Sequence, residues 1–333
     1  MSPLTKPRRA TGLALAAARL APVLLGALLC SIAGTAQAND STAQLAAGGL
    51  VLTKSDAIEM RSEDLEISRS AVKVRYLFVN TTDREVVSRV AFPLPPVGGR
   101  AFFEVDIAIP VDSPDNFLGF ETRVDGKPVK MEIEQKAMAG TLDRTAWLRA
   151  QAIPLAPHLG PAQEALERLS PARRAEAIKL GLIDPDGYPA WTLETTYHWL
   201  QRFPAGVPVS VEHRYRPSVG GNTGTLLGSD QEPETVRNYC VEPSLLATLR
   251  RAEASEVIYS EAWLDYILVT GGNWKKPIGK FRLVVDKERP EDLVSFCGQG
   301  VRKIGPTRLE MTKTNWRPER DLSILFLDRR TGE

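Results

Sequence analysis

The chain has 333 residues, 42 Lys and Arg against 41 Asp and Glu, 43% hydrophobic residues and only three cysteines. So even a charge balance supplies no clustered basic surface for nucleic acid. The length suffices to bury a core without a metal or a disulfide scaffold, as one large domain or two of ordinary size.

In chain order, the first element is a leader. Lys6, Arg8, Arg9 and Arg19 precede an apolar run of 13 residues, Leu20 to Ile32, and Ala36-Gln37-Ala38 supplies the small-x-small step of a processing site. This predicts a signal peptide over residues 1–38, cleaved near Ala38, and a periplasmic or secreted product beginning near Asn39. The run is shorter than the roughly 20 residues of a membrane span, so an uncleaved anchor is the weaker alternative. Ala10-Thr11-Gly12 is a poor continuation of a twin-arginine signal, and Leu28-Leu29 before Cys30 argues against a lipid anchor. The leader carries four basic residues and no acidic ones, so the mature net charge becomes −3.

From residue 39 to 136 the pattern has period two. Val72, Val74, Tyr76 and Phe78 alternate with polar residues, as do Phe103, Val105, Ile107 and Ile109, and Val129, Met131 and Ile133. Such alternation predicts half-buried antiparallel strands. Asp125-Gly126 predicts a turn. Phe92-Pro93-Leu94-Pro95-Pro96 is expected to be a rigid crossover at a sheet edge, because proline donates no ladder hydrogen bond.

Residues 137–190 read as a helical insertion, with helices expected over Ala137–Gln151, Pro161–Leu169 and Pro171–Leu180. Ser170 is the N-cap of the last and Gly181 its left-handed stop. Asp184-Pro185-Asp186-Gly187 is a turn rather than a calcium loop, since the EF-hand pattern is incomplete. β patterning returns over 191–333. Trp191, Leu193, Thr195, Tyr197 and Trp199 share one parity, and Val209, Val211, His213 and Tyr215 another. Ser218–Gln231 is expected to be a glycine-rich loop, and Pro243–Ala252 a short helix. Further strands are expected at Ala262–Thr270, Lys280–Asp286, Leu293–Cys297, Arg308–Thr312 and Leu322–Leu327. The expected fold is therefore mainly β, an antiparallel β-sandwich architecture (one large or two tandem sandwiches) with the helical insertion around 137–181.

Cys240 and Cys297 remain after processing and are expected to pair in an oxidising compartment. The histidines, His158, His198 and His213, form no metal-ligand spacing, so no metal and no cofactor is expected. There is no Gly-x-Ser-x-Gly elbow; for Ser229, the one candidate serine, an ordinary loop residue is the stronger reading, and Glu132 with Glu134 reads equally well as a glycosidase-like carboxylate pair or as a solvated face. His213 on an apolar face reads as a hydrogen-bonded core residue. The residues that could contact a ligand are Trp274, Asn273 and Thr270, in the distinctive Thr270–Trp274 loop, with Gly221 in the glycine-rich loop and Trp199 in the aromatic row. For Trp199 core packing is the stronger reading.

Several strings are similar to domain-of-unknown-function family 4424: Asn39-Asp40-Ser41, Gly48-Gly49-Leu50, Phe92-Pro93-Leu94-Pro95-Pro96, His213-x-Tyr215-x-Pro217, and Tyr266-x-Leu268-x-Thr270-Gly271-x-Asn273-Trp274-x-x-Pro277-Ile278. The resemblance covers nearly the whole mature chain. It implies an exported bacterial protein of a Gram-negative envelope and brings no catalytic residues. Together these readings predict an exported binding or interaction module without catalysis, whose partner is an envelope protein or a glycan. The alternative is a periplasmic hydrolase of glycan or peptide that joins His198 or His213 to carboxylates in one cleft.

Overall fold

Strand alternation decides which side chains go inside, and the sheets follow from it. Val72, Val74, Tyr76 and Phe78 are all at most 2% exposed, while Lys73 and Arg75 between them face solvent. A computed structural model describes residues 39–46, 49–98, 106–225, 227 and 233–330. The predicted signal peptide lies outside those residues, as do Cys30, Phe103, Val105, Gly228 and Ser229. Among the described residues no helix is long and apolar enough to cross a membrane.

The fold is mainly β, with three sheets. The first runs Leu142–Asp143, Glu132–Ala139, Thr192–Phe203, Val86–Pro93, Ser41–Ala46, Gly49–Thr53, with Val97–Gly98 also on the Thr192–Phe203 strand. The second runs Arg302–Lys303, Arg308–Trp316, Ile278–Asp286, Ile58–Ile67, Val72–Asn80, Pro208–Tyr215, Glu121–Val124, Lys127–Pro128. The third runs Leu293–Phe296, Leu322–Arg329, Tyr259–Tyr266, Val219–Asn222, Asp106–Ala108. Described pairings between strands are antiparallel except Ile58–Ile67 with Ile278–Asp286, which joins segments far apart in sequence in parallel. One core serves all three sheets: Phe92 and Trp199 come from the first, Tyr76 and Val211 from the second, Tyr266 and Phe326 from the third. Phe92 stands 4.9 Å from the His213 ring and 6.4 Å from Tyr266, where the three sheets meet.

Two smaller cores flank it. Helices Thr145–Ala150, Gly160–Glu167 and Pro171–Lys179 bury Leu148, Leu166 and Ala177 with Ala137 and Trp191. Ser170 caps the last helix through the Arg173 amide, and Gly181 follows at φ +76°. Helices Pro233–Asn238 and Pro243–Glu253 cover the other face of the third sheet, with Leu249 against Leu325 and Leu327. The Cys240–Cys297 disulfide fastens this helical pair to the end of the Leu293–Phe296 strand.

The structure corrects five expectations. Ala137–Ala139 is strand, not helix, because it pairs with Leu193 and Thr192 across the ladder. The helix starts only at Thr145, where the Asp143 side chain accepts from the Thr145 amide at 2.8 Å. Phe92 and Pro93 close a central strand rather than an edge crossover. Proline fits there because the neighbouring Ser41–Ala46 strand ends its pairing at Ala91, so no partner needs the missing N–H. Val219–Asn222 is strand, not loop: Gly221 pairs with Ala262, and a Cβ at 221 would lie 2.6 Å from the Glu261 carbonyl oxygen. Finally, the strand expected to reach Thr270 ends at Tyr266, and Val269–Asn273 forms a 3-10 turn held by Asp321, whose Oδ1 accepts from the Leu268 and Val269 amides. In the same vein, Val129–Met131 links the two-residue strand Lys127–Pro128 to the longer strand Glu132–Ala139 rather than forming part of either.

The disulfide closes a span of 57 residues. Loop-closure entropy sets its contribution at about 4 kcal/mol. The Cys240→Ser, Cys297→Ser double variant is expected to lose about that much stability in urea unfolding, with the loss concentrated in exchange protection of residues 233–253. An unchanged urea midpoint would contradict this.

Candidate functional site

Two constructions bear on function: a buried polar knot and an aromatic pocket. The knot is built on Asn39, Asp40 and Ser41, each 0% exposed although they precede or begin the first strand. Asn39 Oδ1 accepts from the Tyr76 hydroxyl and from the Asp40 amide, and its Nδ2 lies 3.3 Å from both oxygens of Glu63. Tyr76 and Tyr266 hydroxyls meet at 3.1 Å. Asp40 Oδ1 lies 3.0 Å from His213 Nε2, and His213 Nδ1 lies 2.9 Å from the Thr122 hydroxyl. Burial pushes Glu63 up to about 8, opposed by the Asn39 amide and reinforced by Asp40. Burial also pushes Asp40 up, against the lowering pull of His213, and pushes Tyr76 and Tyr266 well above the phenol range.

Three of the residues singled out from sequence gather around this knot. Thr270 donates its hydroxyl to the Asn39 carbonyl at 3.0 Å, Asn273 donates Nδ2 to Ser41 Oγ at 3.0 Å, and the Trp274 indole N–H donates to the Asp40 carbonyl at 2.9 Å. Their partners are the chain's own residues, not an open surface, and Trp274 packs on Phe78 at 4.5 Å. Trp199 is buried, donates to Gln201 Oε1 and packs edge-on to His213 at 5.5 Å. Gly221 stands apart in the third sheet. His198 lies in the first sheet, 2.8 Å through Nδ1 from Arg89 Nη1, and burial pushes it down. It thus shares neither sheet nor partner with His213. His158 packs near Phe117, with burial pushing it down to about 4. Among the described residues no group of His, Cys, Asp and Glu is placed to hold a metal ion.

The pocket has a volume of about 300 Å³ and draws its walls from segments far apart in sequence. Trp263 and Asp265 occupy alternate positions of the Tyr259–Tyr266 strand and face away from Leu264 and Tyr266, which enter the core. Gly220 pairs directly with Trp263, so no side chain stands beside the indole on that strand. Tyr239 precedes Cys240. Its backbone is fixed by the disulfide and by Ser295 Oγ, which donates to the Tyr239 carbonyl at 2.9 Å. Burial raises the Tyr239 hydroxyl above its ordinary range, with Asp265 and Glu261 adding to the shift. Phe117 and Leu118 are set by Asn116, whose Oδ1 accepts from the Phe120 amide at 2.7 Å and the Tyr197 hydroxyl at 2.8 Å. Pro95, Pro96 and Val97 form the remaining rigid wall. Asp265 is the only charged side chain among the described lining residues. Sequence reasoning did not single out Trp263, Asp265 or Tyr239. The one available signal was the Trp-x-Asp alternation within an expected strand.

A wider depression of about 430 Å³ lies on the outer face of the second sheet. Its carboxylates (Asp64, Glu66, Glu121, Glu212) are matched by Lys73, Arg75, Arg123 and Arg214, and Arg75 pairs with Glu212 at 2.9 Å. Mutual pairing leaves it no single-sign field. It also borders the backbone side of His213, whose imidazole points into the core.

The three sheets thus carry a largely aromatic pocket with one charged side chain among its described lining residues. The chain belongs to the family described as domain of unknown function (DUF4424), whose profile matches residues 38–325. No curated protein matches it. A solved protein from Legionella pneumophila subsp. pneumophila str. Philadelphia 1, provisionally named a nutrient binding protein, superposes at TM-score 0.45 and 16% identity, over 87% of this chain and 70% of that one. A likeness of that degree says nothing of what this chain binds.

The Asp40–His213 contact is 0% exposed at both side chains, so removing one partner strands the other. The His213→Leu variant is expected to cost about 3–5 kcal/mol, and the Asp40→Asn, His213→Leu double variant markedly less than the sum of the singles. Additive losses in urea unfolding would contradict the coupling.

Proposed function

We propose that this is an exported, non-catalytic binding protein of a bacterial envelope, and that the pocket between Trp263, Tyr239 and Asp265 is its ligand site. The observation that carries the reading is the pocket itself: an indole, a second aromatic wall and one carboxylate, held on strands, prolines and a disulfide-fixed turn. Such a site stacks a ring and pairs a hydroxyl or an amine at its edge. With no cation among its described lining residues it disfavours anions, so the ligand class is a neutral or cationic ring compound. The leader supports export through its sequence alone: a basic start, an apolar run and a small-x-small step. The hydrolase alternative needed His198 or His213 in a cleft with carboxylates. His213 is instead committed to the interior, and His198 is paired to Arg89 on another sheet.

Tyramine, phenol and benzoate share one ring and differ in charge, which makes them suitable probes. Titration calorimetry is expected to rank tyramine above phenol and phenol above benzoate. Trp263→Ala is expected to abolish binding, and Asp265→Asn to remove the preference for the amine, worth about 1–3 kcal/mol. Equal affinity for benzoate and tyramine, or binding that survives Trp263→Ala, would contradict the assignment.

A further inference from the structure

The polar knot is short of positive charge. Two carboxylates, Glu63 and Asp40, are enclosed in it. Its only basic side chain among the described residues, His213, bonds Asp40 Oδ1 and leaves Asp40 Oδ2 buried with no hydrogen-bond partner. Glu63 faces only the neutral amide of Asn39 among its hydrogen-bond partners. The neighbouring carboxylates of the same strand all find cations on the outer side: Glu59 with Lys276, Asp64 with Arg282, Glu66 with Arg308. Gly271 closes the wall, where even a Cβ would lie 3.0 Å from Asn39 Nδ2. The small-x-small step Ala36-Gln37-Ala38 immediately precedes this enclosure.

Resting on the export reading, we propose that leader processing supplies the missing counter-ion: the α-ammonium released on Asn39 is bound inside the mature fold by Glu63 and Asp40. The step is a hydrolysis by a processing endopeptidase. Water adds across the Ala38–Asn39 peptide bond, leaving a carboxylate on Ala38 and, after protonation, an ammonium on Asn39. Covalent geometry keeps that nitrogen within about 5 Å of its own Nδ2, which already touches both Glu63 oxygens at 3.3 Å. An amide nitrogen there brings one donor and no charge, whereas an ammonium brings three donors and a full charge to two underused carboxylates. The site is thus a receptor for the chain's own new terminus, and it distinguishes processed from unprocessed protein.

The sign of the pH dependence follows. With an amide at 39, Glu63 holds its proton to about pH 8 in the folded state and to its ordinary 4.5 in the unfolded chain. The folded state then binds the extra proton, and stability falls as pH rises between those values. An ammonium beside Glu63 lowers its pKa and flattens that fall. The other titratable groups facing Glu63 are Asp40, Tyr76 and Tyr266, with His213 behind Asp40. Both phenols stay protonated across this range.

The test expresses the full chain with its leader in a Gram-negative host and purifies it from the periplasm. Intact mass identifies the first residue. Acetic anhydride labelling, read by peptide mass, then compares the Asn39 α-amine in native and urea-unfolded protein. The proposal expects Asn39 as the first residue and native labelling at least about 100-fold slower than unfolded, the protection of a group released only by large-scale opening. It also expects that one glycine inserted between Ala38 and Asn39 lowers the urea midpoint and restores its fall from pH 5 to 8, and that the Glu63→Gln background removes both effects. Should Glu63→Gln not fold, the labelling of the natural chain decides alone. An Asn39 amine that labels as fast in the native as in the unfolded protein overturns the proposal and leaves the export reading standing. A periplasmic product beginning elsewhere overturns the proposal alone, and a chain that keeps its leader in the cytoplasm overturns both.

Discussion

Placing a carboxamide, an aspartate and a glutamate at the junction of three sheets is expensive in solvation, and a dense hydrogen-bond network is what makes it tolerable. Asn39 and Asp40 between them engage Glu63, Tyr76, His213, Thr270 and Trp274, which come from the second sheet and from the 3-10 turn behind the third. The network ties together elements more than 200 residues apart in sequence. It also explains why the Thr270–Trp274 segment is built of residues with a donor at each turn. That segment is a clasp on residues 39–41, and the geometry of the first strand depends on it.

The proposed binding pocket draws on the same economy of fixed backbone. Trp263 and Asp265 share a strand with Leu264 and Tyr266, so the strand that lends Tyr266 to the polar knot lends its opposite face to the pocket. Tyr239 is carried on a turn with Cys240 at φ +51°, a conformation that the disulfide and Ser295 hold in place.

Much of the architecture was legible because alternation is a local signal. The parities of Val72–Phe78, Trp191–Trp199 and Val209–Tyr215 each place the correct face inward, and Ser170-Pro171, Gly181 and Asp125-Gly126 mark their turns through backbone chemistry. What failed depends on partners distant in sequence. Ala137–Ala139 has helical composition, yet a ladder to Thr192–Leu193 overrides it. The polar knot was hidden by a bulge. Ile58 and Met60 set one parity, the register shifts between Met60 and Ser62, and Glu63 then falls inward with Leu65 and Ile67. Read without the bulge, Glu63 is one more polar residue in an alternating strand. The pocket was illegible for a simpler reason: its walls come from separate stretches, and the two strings that contribute Pro95, Pro96, Tyr215 and Pro217 carry no sign that they meet Trp263 and Tyr239.

The central claim is that residues 39–42 are part of the deepest structure rather than a loose chain end. Hydrogen exchange by mass spectrometry on the folded protein tests it most directly. The account predicts that the Asp40, Ser41 and Thr42 amides exchange as slowly as those of Val72–Asn80, opening only with the global fold. Exchange at the rate of an exposed terminus, while the sheets stay protected, would contradict it.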